Sequence, residues 1–142
     1  MKFIDYEYAV ACPAAFDLAT HFSEWPSYNC DYNMLPTRTT RKSFIEEYLQ
    51  SYRSHHSDEK ANQAFTVEQM CLEVDRYRGM PGLYWGVQAL VQNEISDVDF
   101  DWGSYAEVRL AEFWVWRREA EGARAQAGEE MTFRERRWAE EA

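Results

Sequence analysis

The stretch "LYWGVQALVQNEI", Leu83 to Ile95, constrains the fold more than any other part of the sequence. It is apolar on nearly every side of a helical wheel, and helices of that kind lie inside a core or a membrane. It falls short of the ~20 apolar residues that span a bilayer. The run therefore predicts a helix at the centre of a soluble, mainly helical core.

The remaining helical patterns are one-sided, as befits helices that surround such a centre. Pro13 suits a first helical turn, and Phe16, Ala19, His21 and Phe22 alternate with polar residues after it. Thr37 is placed to cap a helix with the stripe Phe44, Ile45, Tyr48, Leu49 and Tyr52. Val67, Met70, Cys71, Val74 and Tyr77 mark another, which stops at "GMPG". A final helix carries Tyr105, Val108, Leu110, Phe113 and Trp114. Between them Ser27 to Pro36, "RSHHSDEKANQ" and "SDVDFDWGS" read as loops. Beyond Arg118 the chain is rich in Ala, Glu and Arg. One folded domain over 1–118 and a charged tail over 119–142, a solvated helix or disorder, follow from that change.

Charge and cysteine content exclude several functions. The 142 residues carry a formal net charge of -10, which repels a phosphate backbone and argues against nucleic acid as a partner. Cys12, Cys30 and Cys71 are odd in number and form no Cys-x-x-Cys pair. Neither a disulfide framework nor a zinc knuckle is encoded, and a reducing cytoplasm is the expected setting. No basic segment followed by a long apolar run opens the chain.

The opening "MKFIDYEYA" has a different character. Phe3, Ile4, Tyr6 and Tyr8 are strand-forming residues, but the run is short and a lone strand leaves both edges unpaired. Asp5 and Glu7, two positions apart, point to one side of such a strand. Two carboxylates there can hold Mg²⁺, which favours carboxylates plus substrate phosphates, or can be an ordinary solvated acidic face. A second grouping, His56, Asp58 and Asn62 in "HSDEKAN", parallels a kinase catalytic loop, but its spacing is off by one, since the fifth position after Asp58 is Gln63. It reads as a solvated loop.

The blocks "FIDYEYA", "AAFDLATHFSEW", "LPTR", "YWGVQALVQ" and "DFDWGSYAEVRLAEFW" resemble, in that order, the C-terminal part of the choline/ethanolamine kinase family. The likeness runs from Phe3 to Trp116, and through "PAAFDLATHFSEW" and "CDYNMLPTR" it is nearest to fungal ethanolamine kinases. It implies the helical C-terminal lobe of a protein-kinase-like fold, preceded by a short residual β-strand. By resemblance Asp5 would hold Mg²⁺ at the ATP phosphates, with Glu7 as a supporting acid. Tyr8, Glu24, Trp85, Phe100 and Tyr105 would enclose the substrate ammonium, and Tyr28 or Tyr32 would add a ring.

The implied reaction is phosphorylation of ethanolamine to phosphoethanolamine, a step toward phosphatidylethanolamine. Gln88 stands where many choline-preferring members carry a second Trp, which favours ethanolamine over choline. The glycine-rich loop, the nucleotide-clamping Lys and the catalytic loop with its base Asp and metal-binding Asn have no counterparts in the sequence, so no catalytic residue is assigned. The expectation is a C-terminal fragment that is inactive as an isolated chain. A choline kinase fragment and a non-catalytic helical interaction module are the alternatives. Trp85 and Phe100 also suit plain core packing, Asp17 and His21 a structural prop, and Arg109 a pairing with a core carboxylate.

Overall fold

Short-range capping chemistry starts most of the helices. In the computed structural model, residues 9–55 and 65–141 are described. The predicted strand with Asp5, Glu7 and Tyr8, and the trio His56, Asp58 and Asn62, lie outside the described residues. Helix α1, Ala14–Ser23, follows the extended Pro13. Asp31 accepts the Asn33 N–H at 3.1 Å and opens a 3₁₀ turn at Tyr32–Met34, so the predicted loop contains one helical turn. Helix α2 is Arg38–His55, with Thr37 Oγ1 accepting the Thr40 N–H at 3.3 Å. Thr66 and Gln69 form a reciprocal capping box at the head of α3, Val67–Tyr77.

The next junction follows the sequence expectation, since α3 ends at Tyr77 just before "GMPG". The motif then opens the next helix: Gly79 caps α4, Met80–Ile95, and Pro81 sits in its first turn. Proline's fixed φ and missing N–H suit that position. Helix α5, Trp102–Ala120, begins with the Asp101 carboxylate accepting the Ser104 N–H at 2.9 Å. Two short helices follow, α6 at Ala123–Gln126 and α7 at Phe133–Ala139.

Helix α4 is not the centre of the core. It runs antiparallel to α5, and a Cβ at Gly82 would stand 2.6 Å from the Arg109 carbonyl oxygen, while one at Gly86 would meet Leu110 at 2.7 Å. Small residues let the two backbones approach, so Gly82, Gly86 and Ala89 form the buried face. The bulk points outward: Val87, Leu90 and Ile95 are 50%, 49% and 68% exposed. Trp114, predicted on the buried stripe of α5, is 59% exposed for the same reason of side.

The core instead centres on α1, whose Leu18, Ala19 and Phe22 pack with Leu35, Ile45, Leu49, Met70 and Val74. The segment after Arg118 joins it. Residues of 119–142 are helical in two pieces, and the second piece is docked rather than solvated, with Trp138 only 4% exposed in the same cluster. Arg41 of α2 stacks on that ring at 4.0 Å and donates to the carbonyls of Pro36 at 2.7 Å and Trp138 at 2.9 Å. A buried guanidinium so satisfied packs like an aromatic plane. It takes the inner place on α2, whereas Phe44 of the predicted stripe is exposed.

Candidate functional site

A second, smaller cluster of Ala89, Tyr105 and Ala106, backed by Cys30, Phe100 and Trp102, floors a cavity of about 500 Å³. Its lining includes Glu24, Tyr28, Trp85, Gln88, Gln92, Trp102 and Tyr105. Local structure explains the convergence. Glu24 is the residue at which α1 ends, and left-handed backbone at Ser27 (φ 56) and Cys30 (φ 50) folds the following loop back so that Tyr28 reaches the cavity. Trp85, Gln88 and Gln92 recur at helical spacing on α4, and Trp102 and Tyr105 lie one turn apart on α5.

The aromatic side is a set of edge and tilted ring contacts. Tyr28 meets Phe100 at 5.8 Å and Tyr105 at 6.2 Å, and Phe100 meets Tyr105 at 5.6 Å and Trp102 at 4.7 Å. Phe100 lies behind the wall and orients it. Of the two loop tyrosines, Tyr28 lines the cavity, whereas Tyr32 turns away and donates its O–H to Glu112 Oε1 at 3.0 Å. Burial pushes the Tyr105 hydroxyl up to about 12. Burial, reinforced by Glu112, raises Tyr32 as well.

Glu24 supplies the charge. Arg109 Nη2 donates to its Oε1 at 2.7 Å, and the carboxylate side chain stays 32% exposed. Burial raises the Glu24 pKa and the Arg109 charge opposes that rise. Arg109 itself is fully buried and also faces Glu112 at 3.3 Å. The expected pairing of Arg109 with a core carboxylate is thus present, with two carboxylates on one guanidinium. The alternation continues inward through Arg134, 3.8 Å from Glu112, to Glu135 at 3.2 Å from Arg134, and to Arg78 at 2.8 Å from Glu135.

Five of the residues implied by resemblance, Glu24, Tyr28, Trp85, Gln88 and Tyr105, meet at this cavity. Tyr8, Asp5 and Glu7 lie outside the described residues. Among the described residues no group of three or more His, Cys, Asp and Glu converges as a metal centre. His21 is on the surface, stacked on Phe44 at 4.9 Å and accepting from Trp25 Nε1 at 3.4 Å. Sequence reasoning missed Gln92 and Trp102, although each lies one turn from a residue it named, Gln88 and Tyr105. The Trp102 indole N–H is buried without an acceptor among the described residues. A carboxylate, aromatic faces, two carboxamides and a spare N–H donor suit a small organic cation that also carries an oxygen.

A family model described as "Choline/ethanolamine kinase" matches residues 1–114. A probable ethanolamine kinase of Nematostella vectensis is 32% identical over 79% of this chain and 33% of its own length. Ethanolamine kinase 2 of Homo sapiens is 32% identical over 80% of this chain and 28% of its own. Probable choline kinase 2 of Arabidopsis thaliana is 29% identical over 79% and 32%. The chain spans about a third of the length of these curated relatives. With most of its length matched, the chain belongs to the choline/ethanolamine kinase family, and its helices form the helical lobe of that kinase-like fold.

Proposed function

We propose that the cavity holds the ammonium end of ethanolamine, as the phosphoryl acceptor of an ATP- and Mg²⁺-dependent kinase, with phosphoethanolamine as product. The observation that carries this reading is the placement of Glu24 beside Tyr28, Trp85 and Tyr105 around one cavity. A cation over aromatic faces gains about 0.5 to 2 kcal/mol, and the carboxylate adds opposite charge. Three unpaired cysteines, Cys12, Cys30 and Cys71, support a reducing, cytoplasmic setting.

Ethanolamine is favoured over choline by the carboxamides. A primary ammonium has three N–H donors and a quaternary one has none, so acceptors at Gln88 and Gln92 discriminate for the former. Choline is the second reading, favoured by the ring-rich wall and by the choline kinases among the relatives. Asp5, with Glu7 in support, is the proposed Mg²⁺ ligand; Mg²⁺ held there would supply charge neutralisation at the nucleotide phosphates.

Calorimetric titration of the chain with ethanolamine and choline tests the assignment. Ethanolamine should bind more tightly, and Glu24→Gln should weaken it about tenfold or more, the value of one charge-assisted hydrogen bond. Gln88→Trp should move the preference toward choline. A wild-type chain that prefers choline would replace ethanolamine with the second reading, and absence of binding by both would sink the cavity's role.

A further inference from the structure

Residues 115–142 lie beyond the family match, yet this segment supplies two of the most deeply buried charges among the described residues, Arg134 and Glu135. They continue the alternation that begins at the cavity: Glu24, Arg109, Glu112, Arg134, Glu135 and Arg78, three carboxylates and three guanidiniums. We infer that α7 is part of the cavity's construction, with Arg134 acting through Glu112 and Arg109 as a positioning residue for Glu24. Its importance for binding rests on the proposed role of Glu24 as the ammonium's counter-ion; the geometric part does not.

Competition for one guanidinium is the physical basis. Arg109 serves both Glu24, at 2.7 Å, and Glu112, at 3.3 Å. Glu112 is buried and cannot be hydrated, so its charge must be met by protein cations, and Arg134 is the second of them. Without Arg134, Glu112 keeps the Tyr32 hydroxyl as a neutral donor at 3.0 Å, and its demand for positive charge falls on Arg109. Glu24 is the carboxylate that can yield, because a third of its side chain is open and water can replace the guanidinium. It would then leave the orientation in which it faces the cavity with Tyr28 and Tyr105.

The position of Arg134 is set independently of the cavity. Trp138, one turn further along α7, is packed in the main core, and its indole N–H donates to Asp75 at 2.7 Å. Thr132 caps the helix by accepting the Glu135 N–H at 3.4 Å. Arg134 also donates to the Arg78 carbonyl at 3.1 Å, so a role confined to holding α7 in place is the competing explanation.

Carbon-13 spectra of the glutamate carboxyls in the full chain separate the two, with the Glu24 signal assigned by its loss in Glu24→Gln. In Arg134→Met the Glu24 signal and the Tyr28 and Tyr105 ring signals should move, while the Trp138 indole signal stays in place and shows that α7 remains docked. Arg134→Lys should bring the Glu24 signal back toward wild type. Ethanolamine affinity should fall about tenfold in Arg134→Met and recover in Arg134→Lys. Should Arg134→Met not fold, Arg134→Gln, which keeps a donor for the Arg78 carbonyl, carries the same test. An unmoved Glu24 signal with the Trp138 signal in place overturns the inference. A wild-type chain that binds no ethanolamine sinks the substrate assignment instead, and the Glu24 signal still decides the role of Arg134.

Discussion

Tyr105 holds its ring between Phe100, Tyr28 and the Arg109 guanidinium, whose central carbon lies 5.8 Å from the ring centre. Burial raises its hydroxyl to about 12, from an ordinary value near 10.0. Between those values the unfolded chain has released the proton and the folded chain retains it. The folded state then binds more protons, so stability falls as pH rises through that window. Tyr105→Phe should flatten this part of the decline, as followed by urea midpoints measured across it. Tyrosinate absorbance of the folded protein should lose one late-titrating group in the same variant. Equal pH slopes for the two proteins would show that Tyr105 titrates normally.

At the scale of the element, the α4 and α5 pair depends on missing side chains. Gly82→Ala would place a methyl group 2.6 Å from the Arg109 carbonyl oxygen, a backbone atom that cannot step aside. A loss of about 1 to 3 kcal/mol is expected from such overpacking. Gly103→Ala is the matched control, since its Cβ would meet nothing closer than 3.6 Å. Near the start of a helix it should gain about 0.5 to 1 kcal/mol from reduced backbone entropy in the unfolded chain. Urea unfolding of the pair gives the comparison, and equal stabilities would mean that the helices separate easily. Thr66→Ala removes half of the capping box on α3 and should cost about 1 kcal/mol.

On the scale of the whole molecule, α7 joins the main core to the charged network beside the cavity. Trp138→Ala should destabilise the chain by about 3 to 5 kcal/mol, because it empties a site in the α1-centred cluster and removes the indole N–H that Asp75 accepts. The Arg41 guanidinium would keep its carbonyl partners but lose the ring beneath it. Thermal melts with a single, lowered transition are the expected readout. An unchanged melting point would show that the C-terminal segment is only appended.

Hydrophobic period and capping residues were sufficient to specify α1 to α5. The stripe Val67, Met70, Val74 and Tyr77, the cap at Thr37 and the helix after Pro13 act within a few residues of themselves. The cavity residues Glu24, Trp85 and Tyr105 were marked only by the resemblance of their blocks to the family, since taken singly Trp85 suits plain core packing; the structure sets them at a helix end, a helix face and a first turn. What the period could not decide is which side of an apolar helix faces inward. Helix α4 turns its glycines and Ala89 to α5 and its valines and Leu90 to water, since close backbone approach favours the smallest residues and that preference exists only once the partner helix is in place. Nor could composition show that the Arg- and Glu-rich segment after Arg118 returns to the core. Arg134, Glu135 and Arg41 look solvated by residue type, and only tertiary pairing with Glu112, Arg78 and Trp138 makes their burial favourable.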